Sequence, residues 1–150
     1  MSSKRYTDRF RRLWLAARVG VWLCALPLRL RRRGVTALLT GLTPTRLRGD
    51  VGSVEVEQAV PTVLRVCALR VSSTRFFPRT CLREALTLYH VLRDMGYPAE
   101  FHIGVRKDGH ALAAHSWVTL RGAPIVPHSA DPRFRTLYSY PSIRAMEEQL

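Results

Sequence analysis

The chain has 150 residues, 47% of them hydrophobic, with 5 Phe, 5 Tyr and 3 Trp; that is too much apolar and aromatic material for a disordered polyelectrolyte, and it suits one domain or a domain with a helical arm. The formal net charge is +13: residues 1–50 carry twelve basic and two acidic side chains, a net +10, and residues 51–150 carry twelve and nine, a net +3. The basicity therefore belongs to the amino-terminal third, where it suits an acidic protein, an anionic membrane surface or nucleic acid.

Residues 6–26 read as an amphipathic helix, with Phe10, Leu13, Trp14, Ala17, Val21, Cys24 and Ala25 at three- and four-residue spacing on one stripe. Pro27 is expected to end or kink it, and Arg29 to Arg33 with Gly34 form a basic boundary. The stretch from Leu13 to Leu28 is interrupted by Arg18 and contains Pro27, which argues against an ordinary transmembrane helix. A secretory signal would share the basic start and apolar middle, but Arg18 breaks the middle and no small-residue cleavage site follows. Two uses remain. One is an interfacial membrane helix with Trp14 and Trp22 near arginines; the other, the ordinary expectation, is a helix packed on the domain with its basic face in water.

Residues 35–53 are rich in Gly and Pro and read as a short helical turn plus loops. Helical spacing resumes over 54–71 through Val56, Val60, Val63, Leu64 and Cys67, with Pro61 placed at the first turn. A loop at Ser72-Ser73-Thr74 and Pro78 follows. Thr80 is a suitable N-cap for a helix from Cys81 to Asp94, with Leu82, Ala85, Leu86, Tyr89 and Leu92 as its stripe and Gly96 as its stop. From Ala99 to Arg106 the period is two, so this is a strand; Lys107-Asp108-Gly109 turns the chain. His115 to Leu120 is a second strand, with His115, Trp117 and Thr119 on one face and Ser116, Val118 and Leu120 on the other. A third short run surrounds Ile125 and Val126. The fold class is α+β: a basic helical arm over 1–53 and a core over 54–150 in which a helix packs on a small antiparallel sheet.

Cys24, Cys67 and Cys81 are an odd set with no close pair, which fits neither a disulfide framework nor a CxxC zinc site and suits a reducing, cytoplasmic compartment. Cys81 stands out. At a helix start, the helix dipole and the unbonded N–H groups favour a thiolate and can serve as an oxyanion hole. His115, at the start of a strand, is placed to accept the thiol proton. A buried structural thiol is the plain alternative for Cys81. His90 lies too far along its helix, and His102 and His110 read as exposed or structural. No short ligand spacing supports a metal site, and no cofactor is expected.

The run Cys81-Leu82-Arg83-Glu84-Ala85-Leu86, then Gly96, Ile103-Gly104-Val105 and His115-Ser116-Trp117-Val118, resembles the transglutaminase-like cysteine proteases of lasso peptide biosynthesis. These enzymes remove the leader from a ribosomally made, threaded peptide. The resemblance covers roughly residues 54–127. It implies a transglutaminase- or papain-like core with Cys81 as nucleophile, His115 as base and Trp117 shielding the imidazole; ordinary sheet core is the other use of Trp117. The family places an Asp about a dozen residues after the His to orient it. Pro127 and His128 occupy that register here, and Asp131 stands sixteen residues after His115. Asp131 is the carboxylate assigned the orienting role, with His128 and Ser129 as alternatives.

The implied partners are a lasso precursor peptide, a separate leader-recognition protein and an ATP-dependent macrolactam-forming enzyme. A recognition domain of that family is small and strand-rich, whereas the 80 residues before Cys81 read as helical. The same Cys–His chemistry would also serve transglutaminase-type amide exchange. The rival from another class is a non-enzymatic basic adaptor that binds an acidic partner or a membrane surface through residues 4–33. Nucleic-acid binding is not expected, since residues 35–150 hold no RNP aromatic pattern, zinc finger or phosphate loop.

Overall fold

Residues 2–42, 53–71, 81–126 and 131–141 are described by the computed structural model, with side chains described for all of these except 2–8, 53–55 and 69–71. Three helices precede a sheet: α1 (Ser2–Leu42), α2 (Ser53–Val71), α3 (Cys81–Asp94), then β1 (Ala99–Asp108), β2 (Ala111–Leu120), β3 (Ala123–Pro124) and β4 (Arg135–Tyr140). The sheet order is β3-β2-β1-β4, and all its pairings are antiparallel.

α3 forms where its spacing predicts and stops for a local reason. Gly96 adopts a left-handed φ of 88°, Tyr97 N–H donates to Leu92 O at 2.9 Å and Gly96 N–H to Arg93 O at 2.9 Å. These two bonds satisfy carbonyls that the helix end leaves open, and buried Leu92 and Tyr97 close over them. From Ala85 to Arg93 every α3 residue except half-buried His90 is buried, because α1 and α2 cover one side and β1 and β2 the other. The sheet face toward α3 carries Ala99, Phe101 and Val118, and Tyr89 meets Phe101 and Tyr140 edge-on at 6.3 and 6.4 Å. The Arg93 guanidinium is buried over the Tyr89 ring, 5.5 Å from its centre, with no hydrogen-bond acceptor among the described residues.

The helices run longer than their punctuation suggests. α1 passes through Pro27 and breaks instead at Gly34, whose φ of 70° and ψ of 174° are not helical. Leu26 and Leu30 on either side of Pro27 are packed into the core, and that packing outweighs the one ladder bond Pro27 lacks. α2 likewise starts at Ser53 and holds Pro61 inside it, not in its first turn. β2 begins at Ala111, so His115 sits in mid-strand and not at its start. The third run pairs at Ala123–Pro124, while Ile125 adds one N–H bond to Val118 O at 3.1 Å. The sequence reading did not anticipate β4; it lies beside β1, with a register shift between Ile103 and Gly104. Of the stretch 35–53, read as a helical turn plus loops, residues 35–42 are helix within α1 and 43–52 lie outside the described residues, as do Thr80, His128, Ser129 and the loop expected within 72–80.

One expectation is overturned in a way that matters. The apolar stripe read as the packing face of α1 points outward: Phe10 is 67% exposed, Leu13 70%, Trp14 55% and Val21 71%. A second stripe on the opposite side, Val19, Trp22, Leu23 and Leu26, enters the core together with Leu38 and Leu39 from beyond the Gly34 break. One hydrophobic cluster thus joins α1 and α2 to α3 and the sheet. The exposed Arg18–Asp94 ion pair at 2.7 Å ties α1 to the end of α3, though a pair of this kind adds little. The two faces of α1 should answer substitution differently. Leu26→Ala is expected to lower the unfolding free energy by about 2–5 kcal/mol, while Leu13→Ala changes it by less than about 0.5 kcal/mol; urea unfolding of the two variants checks this.

Candidate active site

Cys81 is the first residue of α3, half-buried and in no disulfide. Its position follows from α3 being clamped between the other helices and the sheet, since that burial fixes where the helix begins. A hollow of about 80 Å³ opens there, lined by Cys81, Glu84 and Leu88 of α3, by His115 and Trp117 of β2, and by Val126. β3 pairs only with Thr119 and Leu120, so the hollow lies along the stretch of β2 that precedes this pairing. The structure therefore brings together three of the four residues singled out from the sequence: Cys81, His115 and Trp117. No hydrogen bond joins Cys81 to His115. Cys81 and His115 thus border one hollow, although the His115 ring itself stands on the sheet face away from α3; a thiol at a helix start and a nearby imidazole are the residue types that attack on a carbonyl and protonation of a leaving group require.

The imidazole is held by rings. His115 stacks on Trp117, with centroids 6.1 Å apart and planes 18° apart, and Trp117 stacks in turn on His102 at 5.4 Å and 16°. Phe134, just before β4, covers His115 from the other side at 5.3 Å. The row exists because His102, Gly104 and Arg106 of β1 face Trp117, His115 and Ala113 of β2 in register, on the sheet face away from α3. Gly104 leaves room for it: a Cβ there would lie 2.8 Å from Trp117 Cη2 and 3.0 Å from the Arg135 carbonyl oxygen.

His102 anchors the far end of the row. Its Nδ1 is bonded to Ser139 Oγ at 2.9 Å and its Nε2 to Thr119 Oγ1 at 2.8 Å. A neutral imidazole suits two hydroxyls, which can each donate or accept. Burial pushes the His102 pKa below 6.5. Glu100 Oε2 lies 3.6 Å from Nε2, but Nε2 is already engaged by Thr119 and the burial effect dominates. His90 is also lowered, first by burial, with Arg18 and Arg29 adding to it and Asp94 opposing; it packs on Trp22 at 4.1 Å. His110 is exposed in the β1–β2 turn.

Asp131 is placed differently from the other three. Its carboxylate accepts bonds from Arg133 N at 3.0 Å, Nε at 3.0 Å and Nη2 at 2.6 Å, and from Arg106 Nη1 at 3.5 Å. The side-chain and backbone bonds from Arg133 lower its pKa to about 2. No hydrogen bond joins Asp131 to His115. The two are linked at second hand, since the Arg106 guanidinium lies over the Phe134 ring at 5.0 Å and Phe134 packs on His115. The sequence reading missed Phe134, the clearance at Gly104 and the role of His102. A weak signal for β4 was present in Tyr138-Ser139-Tyr140, where apolar and polar residues alternate, but Leu137 beside Tyr138 interrupts the period. Among the described residues, no three His, Cys, Asp or Glu side chains gather as metal ligands do.

The chain matches the family model of the transglutaminase-like superfamily over residues 20–139, and it belongs to that superfamily. The superfamily includes cysteine peptidases, and the matched segment takes in the inner half of α1, all the elements of the hollow and nearly all of β4. No curated protein and no solved structure matches the chain.

Two outcomes follow from this geometry. Gly104→Ala is expected to destabilise the fold by about 1–3 kcal/mol, because the added methyl meets an indole and a carbonyl that cannot both retreat; thermal unfolding and a shift in tryptophan emission read it. The second outcome concerns acid. His102 and His90 have folded pKa values below their unfolded value of 6.5, so the unfolded chain binds more protons as pH falls through that value. Their contribution is complete above about pH 7 and is lost on acidification. Denaturant melts at about pH 7.5 and pH 5 should show this loss, and His102→Gln, which keeps a donor and an acceptor but does not titrate, should show less of it.

Proposed function

We propose that this chain is a cysteine peptidase that removes the leader from a ribosomally synthesised lasso precursor peptide. The observation that carries the reading is the shared hollow of Cys81 and His115, at the start of the helix the fold grips hardest. The Cys81 sulfur attacks the scissile carbonyl, and His115 takes the thiol proton. N–H groups of the first turn of α3 hold the oxyanion. His115 then gives its proton to the leaving amine, which is the amino terminus of the core peptide, and water releases the leader from the thioester. Trp117 and Phe134 keep the imidazole in plane. Asp131 acts through Arg106 and Phe134, not as a direct hydrogen-bond partner of the imidazole. The chemistry draws on these side chains and the backbone alone. A separate leader-recognition protein delivers the precursor in the cytoplasm, and the freed core passes to an ATP-dependent macrolactam-forming enzyme.

Mass spectrometry of a precursor incubated with this protein and its recognition partner tests the reading. Wild type should yield leader and core. Cys81→Ala and His115→Ala should each slow single-turnover cleavage by about three orders of magnitude or more, while Asp131→Asn stays within about tenfold of wild type because its carboxylate is committed to arginines. Cleavage undiminished in Cys81→Ala refutes the proposal. A product changed by loss of ammonia, with no peptide bond cut, assigns the site to amide exchange instead.

A further inference from the structure

We infer that α1 docks flat on an anionic lipid bilayer through its outward stripe. This inference does not depend on the peptidase reading. Phe10, Leu13, Trp14, Val21 and Leu28 are each more than half exposed, and their spacing places them on one line. From residue 10 to residue 28 that line is about 27 Å long, at a rise of about 1.5 Å per residue. Phe10 and Trp14 also wall a hollow of about 270 Å³ with Gln58, Ala59 and Met95, so the line offers a bilayer exposed apolar side chains and a recess that an acyl chain can fill.

Charge selects the kind of bilayer. Between Arg9 and Leu42 there are eight arginines and no acidic residue. By helical spacing Arg11, Arg18 and Arg29 fall on one side of the line and Arg9 on the other. The Arg18 guanidinium lies 4.6 Å from the centre of the Trp14 ring, so an indole suited to the headgroup zone sits beside a cation suited to lipid phosphate. At the carboxyl end of the line a hollow of about 380 Å³ lies between the two limbs of α1, with Arg29, Arg32 and Arg33 around Leu28, Leu38 and Leu42. Guanidinium groups above an aliphatic floor match a phosphate on an acyl chain.

The helix lies on the membrane and does not cross it. Residues Arg9–Leu42 are long and apolar enough to span a bilayer by length and composition. However, Val19, Trp22, Leu23 and Leu26 are committed to the core with α2 and α3, and a spanning helix would strip them from it. Only the opposite face is free to enter lipid.

The test is co-sedimentation of the full chain with vesicles of phosphatidylcholine alone or with added phosphatidylglycerol. Binding should be at least about tenfold tighter with phosphatidylglycerol and should weaken with salt. Leu13→Glu with Val21→Glu should lower it about tenfold or more, and so should Arg29→Gln, Arg32→Gln and Arg33→Gln together. All these side chains are exposed, so the thermal melts of the variants should match wild type. Brominated lipid should quench Trp14 and spare Trp22 and Trp117, which are 6% and 8% exposed, and Trp14→Phe should abolish the quenching. Protein left in the supernatant with phosphatidylglycerol vesicles overturns the inference. Undiminished binding of the Leu13→Glu, Val21→Glu protein overturns it too, since adsorption would then be by charge alone. Vesicle binding at background in wild type, together with loss of recognition-protein capture in the stripe variants, would assign the face to a protein partner.

Discussion

The burial of α3 on all sides is the constraint on which the rest of the structure depends. Among the described residues α3 touches α1, α2, β1 and β2, and it is covered so completely that Thr87 and Arg93 are buried along with its leucines. Thr87 solves its part of the problem by donating to the Arg83 carbonyl one turn back, at 2.7 Å. A helix held this way cannot slide or tilt without opening several interfaces together. Its first residue is therefore a fixed point, and a side chain there can face a strand with little freedom to wander. A reactive thiol gains from that rigidity, because the geometry of attack tolerates little error.

The sheet supplies the second fixed point by a different device. His115 is positioned by a stack of rings, and the stack depends on a missing side chain at Gly104 and on hydroxyls that hold His102. Each member is ordinary sheet content. Together they set the plane of the imidazole through packing, where a carboxylate would set it through a hydrogen bond. The acidic residue in the neighbourhood is drawn instead to Arg133 and Arg106, which lie closer to it in the same turn and on the adjoining strand.

Much of this was legible in the sequence where local chemistry decides structure. Helix α3 could be read from its stripe and from Gly96, and strands β1 and β2 from their alternation; that Cys81 and His115 border one hollow was anticipated from motif and order. Three things were not legible. Pro27 and Pro61 read as boundaries because a helix loses a bond at proline, and only the tertiary packing of Leu26, Leu30 and Val63 shows why the helices continue. β4 is short, and Leu137 next to Tyr138 breaks the alternation that would mark it as a strand. The inward face of α1 was hidden by a second, equally apolar face: Phe10, Leu13, Trp14 and Val21 give as strong a periodic signal as Val19, Trp22, Leu23 and Leu26. Periodicity reports that a face is apolar and is silent about which of two such faces meets the core.

That two-faced helix limits how the sequence can vary. Because the core stripe and the outer stripe lie on opposite sides of one rigid rod, the phase of one is locked to the phase of the other. Inserting a single residue near Gly20 would turn the amino-terminal half of α1 by about 100° relative to the rest, taking Val19 out of the core and scattering the outer line around the helix. An insertion of seven residues, close to two full turns, would keep both lines in phase and lengthen the rod by about 10 Å. Among homologues, length changes in this segment should therefore come in near-whole turns or fall at the Gly34 break, where the chain already abandons the helical phase.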